Sequence, residues 1–222
     1  MLTLALDTST RVGGVALARD GTLVAETSLS ARATHSETVL PEVDGLLDRA
    51  GEGPDAVGRV VVGSGPGSFT GVRIAASLAK GLCAALDAEL HAFSSLAAVA
   101  AQAGTGERVC ALFDARRDEV YAAAWGAPPP APPVLPPSAL PLEEVLRALE
   151  PAADWRFAGE GARLHRKRIE EAGGRVLPRT HDHPRAAGLL ELLRREPEAG
   201  RVADRRTWEP TYARASGAER GV

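Results

Sequence analysis

With 222 residues, 45% of them apolar and 25% charged, the chain has the composition of a globular protein and can bury one good core or two small ones. Its 26 lysines and arginines against 29 aspartates and glutamates give a formal net charge of −3. A protein that holds a phosphate backbone by itself usually carries a basic excess, so we expect any nucleic acid to be held mainly by another subunit.

Three strands and a helix are predicted at the start of the chain. Residues 2–6, 12–18 and 22–29 are typical of strands, and Asp20-Gly21 between the last two is a strong hairpin signal, so a three-strand meander is expected. Thr34 and Glu37 have the spacing of a capping box, in which each side chain satisfies a free amide at the helix entrance. Apolar residues then recur at helical spacing up to position 50, which predicts a helix over 35–50.

A glycine-rich stretch at 63–71 follows a short strand at 60–62 and leads into a helix at about 72–86. This order of elements suits a phosphate site, because free amides at a helix start attract anions. A P-loop, however, needs a lysine followed by Ser or Thr where Val72 and Arg73 stand, and Thr70 occupies the place of the third glycine of a dinucleotide-binding loop. The residues by themselves therefore favour a tight turn that lets strand and helix pack closely.

The rest of the chain continues the alternation of strands and helices. A short strand ending at His91 and a helix over 94–103 complete the first half. The second half has predicted strands at 109–114, 120–125 and 155–158, helices at 142–149, 162–172 and 184–195, and a proline-dense connector or edge segment at 128–141. Gly104-Thr105-Gly106 is the predicted boundary between two lobes, 1–104 and 105–222, with a frayed tail after Arg214. The order predicts an α/β fold with mixed sheets.

The helix at 72–86 is apolar nearly all round. One side carries the larger apolar residues. The other side carries small residues, and its only charged residues are Arg73 and Lys80. Such a helix is buried on more than one side, and small residues allow a second helix to approach closely. Two interpretations stay open. The helix is sandwiched within its own lobe, or it forms a partner surface together with the helix at 35–50.

Several features indicate a cytoplasmic protein. Cys83 and Cys110 are isolated in apolar stretches, without the paired spacing of a metal site, which fits a reducing compartment. The first residues lack the basic segment of a signal peptide, and Asp7 interrupts their apolar run. Charged residues break the apolar tract at 74–101, so we expect no membrane span.

Five short stretches carry a resemblance to a known family. They are Leu6-Asp-Thr-Ser9, His35-Ser-Glu-Thr-Val-Leu-Pro41, Gly65-Pro-Gly-Ser-Phe-Thr-Gly-Val-Arg-Ile74, Asp114-Ala-Arg-Arg-Asp-Glu-Val-Tyr121 and Pro210-Thr-Tyr-Ala-Arg214. Together they resemble the bacterial TsaB (YeaZ) family, the non-catalytic glycoprotease-like subunit of tRNA threonylcarbamoyladenosine biosynthesis. The resemblance implies the two-lobed, RNase H-like superfold of actin, Hsp70 and sugar kinases, and it covers nearly the whole chain.

The resemblance also implies a function. The chain would be a scaffold and activator that is required for, but does not catalyse, the threonylcarbamoylation of adenosine 37 of tRNAs reading codons that begin with A. It would bind the catalytic transferase and a small P-loop ATPase, meet tRNA only indirectly through the complex, and form a homodimer when alone. ATP and metal would belong to the partner subunits, so no cofactor is expected here.

Two sets of site residues follow from the resemblance. The implied partner interface lies on the helices at 35–50 and 72–86 and consists of Val39, Val43, Leu46, Arg73, Ala76, Ser77, Lys80 and Ala84. The possible vestigial nucleotide contacts lie in the first hairpin and in a second glycine turn, and they are Asp7, Thr8, Ser9, Gly159 and Gly161.

Two departures from the catalytic relative argue against catalysis by this chain. That relative holds a metal with two histidines four residues apart, and here the corresponding positions are His91 and Ser95. A metal needs three or more converging ligands, so His91 is interpreted as a strand-end residue. Glu160, in the second glycine turn, would place a carboxylate beside incoming phosphates and repel them. Asp7 is accordingly interpreted as a turn or capping residue.

Other sites have less support from the sequence. Asp7 and Asp114 lack the third or fourth acid of a two-metal nuclease, and His181 and His183 are interpreted as part of a polar loop. Ser36, Ser68 and Ser94 have no evident His and Asp partners in a nucleophile-elbow sequence, so a serine hydrolase is not supported. The alternative functions are a stand-alone metallo-glycoprotease, which Ser95 argues against, and a nucleotide-sensing regulatory domain, which tight ATP binding would indicate.

Overall fold

The structure is a computed structural model that describes residues 1–29, 35–104 and 106–212. Its first five strands form a mixed sheet in the order β3-β2-β1-β4-β5. They are β1 (Leu2–Asp7), β2 (Gly13–Arg19), β3 (Thr22–Leu29), β4 (Val57–Gly63) and β5 (Glu89–Phe93). The first three are the predicted antiparallel meander, whereas β4 and β5 join β1 in parallel. Every residue of β1 is buried, because helices cover both faces of this sheet.

Alternate residues of the first sheet face two different helix layers. Leu4 and Leu6 pack with α1 (His35–Ala50) and α2 (Phe69–Leu86), and Ala5 packs with α3 (Ser95–Gln102) and α7 (Ala186–Arg195). Ala5 lies between Ala16 on one neighbouring strand and Val61 on the other. These small residues leave room for α3 and α7 to pack closely against the sheet.

The second half of the chain builds another mixed sheet, in the order β10-β9-β6-β7-β8. Its strands are β6 (Arg108–Arg116), β7 (Glu119–Trp125), β8 (Leu135–Pro141), β9 (Trp155–Ala158) and β10 (Arg175–Val176). Its helices are α4 (Leu142–Ala148), α5 (Glu160–Leu164) and α6 (Arg166–Glu171). The prolines of the 128–141 segment fall partly in β8, where they are tolerated because an edge strand leaves one row of amides unpaired.

The predicted α/β fold with mixed sheets is confirmed, although the bounds of several elements differ locally. α2 begins at Phe69, three residues before its predicted start, because the Ser68 side chain accepts a hydrogen bond from the Gly71 amide and caps the helix. The helix predicted at 162–172 is two helices, α5 and α6, that meet at His165. The two-residue β10 is absent from the predicted elements. Thr34 of the predicted capping box lies outside the described residues.

After the second sheet the chain returns to the first one. α7 packs on β1 and β2, and the Val202 amide donates to the Leu90 carbonyl at 2.9 Å along the outer edge of β5. All strands of the first sheet precede Gly104 in the chain, and all strands of the second sheet follow it. Residues 186–212 nevertheless contact the first sheet. The division into lobes 1–104 and 105–222 stays a prediction about domains. The predicted frayed tail after Arg214 lies outside the described residues.

Candidate functional site

The glycine loop between β4 and α2 is filled by the chain's own backbone. Thr8 Oγ1 donates to the Gly71 carbonyl at 2.6 Å, and the Ser68 amide donates to the Ser9 carbonyl at 2.7 Å. A Cβ built at Gly67 would lie 2.2 Å from the Ser9 carbonyl oxygen, and one at Gly71 would lie 1.9 Å from that of Thr8. The glycines are therefore explained by the close approach of the turn after β1, which is the packing role that the sequence favours.

Asp7 is the buried last residue of β1, and its carboxylate is bound inside the protein. Oδ1 accepts from the Ser9 amide at 2.7 Å, and Oδ2 accepts from Ser95 Oγ, also at 2.7 Å. Ser95 Oγ in turn accepts from the Gly65 amide at 3.2 Å. Asp7 thus ties β1 to the glycine loop and, through Ser95, to the start of α3.

The second glycine turn is packed just as tightly. Gly159 has φ +99°, a conformation that other residues rarely adopt, and a Cβ there would lie 2.1 Å from the Leu112 carbonyl oxygen. A Cβ at Gly161 would lie 2.9 Å from the Phe113 carbonyl carbon. Both glycines allow the turn to lie against β6. Of the five predicted nucleotide contacts only Ser9 lines the cleft beside these turns, and all five have packing roles.

That cleft, of about 710 Å³, lies between the two sheets. Its lining includes Ser9, Thr10, Arg11, Gly67, Ser68, Phe69, Thr70, Ile74, Phe113, Asp114, Arg116, Tyr121 and Glu160. Burial raises the pKa of Glu160, and the nearby carboxylates of Asp114 and Asp182 raise it further, against an opposing effect of Arg11. His183, whose pKa is lowered mainly by burial, lies 3.8 Å from the Glu160 carboxylate. The lining of the cleft thus carries the carboxyl groups of Glu160 and Asp114 beside the guanidinium groups of Arg11 and Arg116.

We expect the isolated chain to bind ATP and ADP weakly, with a dissociation constant above about 10 µM. That dissociation constant corresponds to a binding free energy of roughly −7 kcal/mol. The reason is that Glu160 and Asp114 repel phosphates and that the glycine loop is occupied by the turn after β1. Calorimetry at pH 7 measures this directly, with Glu160→Gln as the matched variant that removes one repulsive group. Binding at or below about 10 µM by the unaltered chain would contradict the expectation.

His91 lies in the middle of β5 rather than at a strand end, which corrects the predicted position. Its side chain is buried, its Nε2 lies 3.7 Å from a Glu89 carboxylate oxygen, and burial lowers its pKa so that the neutral ring is favoured. Within residues 1–29, 35–104 and 106–212 no group of three or more His, Cys, Asp and Glu side chains could hold a metal ion. His181 contacts the Gln102 carbonyl, and His183 contacts Thr10.

Four of the eight predicted interface residues are buried inside the chain itself. Val39, Val43 and Leu46 are 1–2% exposed, because this side of α1 packs on the first sheet. Ala76 is 5% exposed. Val43, Leu46 and Ala76 are therefore covered from within the chain, and Val39 reaches only the floor of the groove between α1 and α2. Helical periodicity identifies an apolar face but not what covers it.

Residues 208–212, here called the C-terminal strap, cross one side of α2. Arg73 Nε donates to the Tyr212 hydroxyl at 3.1 Å, and Lys80 Nζ donates to Glu209 at 3.3 Å. Ala76 lies between Arg73 and Lys80 on the same side of the helix, which accounts for its burial. Part of the small-residue surface of α2 is therefore covered from within the chain.

The uncovered part of α2 forms an apolar groove with α1. The groove, of about 550 Å³, is lined by Ser36, Val39, Leu40, Phe69, Thr70, Arg73, Ile74, Ser77 and Leu78. Leu40 is 44% exposed and Phe69 is 42% exposed, which is unusual for large apolar side chains. Ala84 is exposed one turn beyond Lys80. Of the predicted interface, Arg73, Ser77, Lys80 and Ala84 reach the surface.

Sequence reasoning missed Leu40 and Phe69 as surface residues. Leu40 follows Val39 in the apolar pattern of α1, and only its position one residue off the buried side shows that it faces outward. Phe69 follows directly after the helix cap Ser68, where a side chain projects at the helix entrance. By length and composition α2 could also cross a membrane, but it packs on β4 with Ala75, Ala79 and Cys83 fully buried, as a core helix does.

Comparison with known proteins gives consistent matches. A family model described as TsaD, tRNA N6-adenosine threonylcarbamoyltransferase, matches residues 25–127. The tRNA threonylcarbamoyladenosine biosynthesis protein TsaB of Bacillus subtilis is 34% identical over 227 aligned residues, covering 99% of this chain and 96% of that protein. TsaB of Escherichia coli is 38% identical over 128 residues, about half of either chain. YeaZ from Pseudomonas aeruginosa, a solved structure, is 36% identical with a TM-score of 0.78, covering 95% of this chain and 99% of that one.

The chain has two α/β halves, each with a mixed five-stranded sheet, and their glycine turns face a shared cleft. This arrangement defines a protein of the actin, Hsp70 and sugar-kinase superfold. A second Pseudomonas aeruginosa structure, described as similar to peptidase YeaZ, agrees with a TM-score of 0.81 over 96% of this chain. Given near-complete coverage at 34% identity, the chain belongs to the TsaB (YeaZ) family.

Proposed function

We propose that this chain is the non-catalytic scaffold and activator subunit of the machinery that threonylcarbamoylates adenosine 37 of tRNAs reading codons that begin with A. The observation that carries the proposal is the exposed apolar groove between α1 and α2, with Leu40 and Phe69 at its surface. An apolar groove of this kind is typical of a docking site for another protein. Membership of the TsaB family supplies the pathway in which the partner acts.

The partner in the groove would be the catalytic transferase, and a small P-loop ATPase would join the same complex. The groove favours a helix, because α1 and α2 can pack a third helix between their exposed residues. When alone, the chain would use the same surface to form a homodimer. The tRNA would meet the chain only indirectly, which agrees with the net charge of −3, and the complex would work in the cytoplasm.

The chain's own cleft supports an assisting role. Asp7 is held by Ser9 and Ser95, and the glycine loop is closed by the turn after β1, so these elements serve packing. ATP and metal would accordingly belong to the partner subunits. The cleft and the groove share Phe69, Thr70 and Ile74, so a partner in the groove lies directly beside the cleft.

Reconstitution of the modification tests this function. Unmodified tRNA, the threonylcarbamoyl-adenylate donor, the transferase and the ATPase are combined with and without this chain, and the modified nucleoside is measured by mass spectrometry. We expect product only when all the proteins are present, and none from this chain by itself. Full modification in its absence, or modification by this chain with the donor alone, would each refute the proposed role.

A further inference from the structure

Arg73 stands at the rim of the groove, with its guanidinium stacked on the ring of Phe69 and close to the ring of Tyr212. The guanidinium carbon lies 3.9 Å from the ring centre of Phe69 and 5.7 Å from that of Tyr212. The two ring centres are 5.3 Å apart, and Arg73 Nε donates to the Tyr212 hydroxyl at 3.1 Å. Stacking and this hydrogen bond together fix the direction of a side chain that is otherwise long and flexible.

The fixed guanidinium is nevertheless exposed and has no carboxylate partner in the part of the chain that the structure describes. The bond to Tyr212 uses Nε, and no described residue accepts a hydrogen bond from the two terminal nitrogens. Lys80, two turns further along the same helix, differs in this respect because it pairs with Glu209. Arg73 therefore offers a pre-oriented fork of donors beside the apolar lining of the groove, and such a fork matches a carboxylate in geometry and charge.

We propose that Arg73 is the anchor for an aspartate or glutamate on the partner helix that docks in the groove, and that Tyr212 of the C-terminal strap is the positioning residue that orients it. The occupant is thus a helix of the catalytic partner with an apolar flank and a carboxylate at its edge. Apolar side chains fill the groove against Leu40 and Ile74, and the carboxylate closes the rim. This inference rests on the proposed function and adds the chemistry by which the partner is selected.

Pre-orientation explains why the strap matters for binding. An arginine that must be ordered on association loses part of its binding free energy to side-chain entropy, whereas one already held by a stacked ring and a hydrogen bond does not. Arginine in a stacked, two-donor position is also not replaceable by lysine, which keeps the charge but presents neither the plane nor the fork. These properties distinguish an anchor from a charge that only improves solubility.

The test measures the affinity of the full chain for the catalytic transferase subunit of the same organism. Arg73→Lys should weaken binding about tenfold, because the charge stays and the fork is lost. Tyr212→Ala should weaken it about fivefold, and Tyr212→Phe, which keeps the ring but not the hydroxyl, should fall between Tyr212→Ala and the unaltered chain.

In an Arg73→Ala background, Tyr212→Ala should cause no further loss, since Tyr212 acts through Arg73. Glu209→Gln is the matched control, because it breaks the other strap-to-α2 ion pair and should leave affinity unchanged.

Three outcomes would overturn the inference. Arginine at the exposed Ala84 of α2 tests the docking surface separately. If Ala84→Arg abolishes association while Arg73→Lys and Tyr212→Ala each change affinity by less than about twofold, the docking surface stands and the anchor does not. Additive losses in the double variant would show that Tyr212 contacts the partner by itself. A loss confined to self-association, with transferase binding unchanged, would place the carboxylate on a second copy of this chain. Thermal melting of each variant identifies any loss that comes from unfolding.

Discussion

Replacing Ala84 with arginine is expected to abolish association with the transferase while leaving the fold unchanged. Ala84 is exposed on α2 beyond the end of the strap's contacts, in line with Ser77 and the groove. In the core of a helix interface an arginine there would clash and bring in an unpaired charge, which should cost about 2 kcal/mol or more of association free energy. In the free chain it faces solvent, so the free energy of unfolding should change by less than about 0.5 kcal/mol.

Ala148→Arg is the matched control for this variant. Ala148 is also an exposed helical alanine, but it lies on α4 in the second sheet's layer, away from the groove. Size-exclusion chromatography with light scattering, a binding measurement with the transferase and thermal melting should be run on both variants. Equal association of Ala84→Arg and Ala148→Arg would exclude this side of α2 from the interface. Ala76 is unsuitable for the same test, because it is 5% exposed and arginine there would disturb the strap.

Gly71→Ala is expected to destabilise the fold by about 3 kcal/mol or more. A Cβ at this position would lie 1.9 Å from the Thr8 carbonyl oxygen, which is a backbone atom held by the turn after β1. The start of α2 would have to move, and the hydrogen bond from Thr8 Oγ1 to the Gly71 carbonyl would then be lost. Urea unfolding at a concentration where the chain is monomeric gives the change in unfolding free energy.

Gly81→Ala on the same helix provides the control. It meets no atom within 4 Å and lies on the exposed side of α2, so alanine should stabilise the helix by roughly 0.5–1 kcal/mol through its higher helix propensity. Gly71 is buried in the first turn of α2, whereas Gly81 lies in the helix interior with open space around it. A loss below about 1 kcal/mol for Gly71→Ala would show that the loop can shift and that its contact with Thr8 is not a constraint.

The elements of the fold could be predicted because their signals are local. Asp20-Gly21 specifies the β2–β3 hairpin from two residues, and the apolar period of α1 needs only its own 16 residues. The exact start of α2 depends on a cap at Ser68, which the glycine-rich composition of the loop obscures. The break at His165 and the two-residue β10 have weak local signals, and tertiary packing decides them.

The candidate site was harder to predict because it is made of distant contacts. Nothing near Gly71 in the sequence shows that the Thr8 backbone lies against it, and nothing near Ala76 shows that the strap from beyond residue 207 crosses it. Val43 and Leu46 belong to the apolar side of α1 whether that side meets the sheet or a partner. Asp7, predicted as a turn or capping residue, is the last residue of β1, and its carboxylate accepts from the Ser9 amide in the turn that follows.

The return of α7 to the first sheet has a consequence for how the protein is made. Ala5, Ala16 and Val61 form a flat apolar patch in the first sheet, and α7, which covers it, begins only at Ala186. During synthesis at about 5–20 residues per second, the stretch from the end of β5 to the start of α7 takes roughly 5–18 s. Throughout that interval α3 is already made, but the part of this patch that α7 covers stays exposed to chaperones and to other nascent chains. The amino-terminal half is therefore completed almost last, and a truncation that removes α7 should leave a chain that aggregates rather than a smaller folded domain.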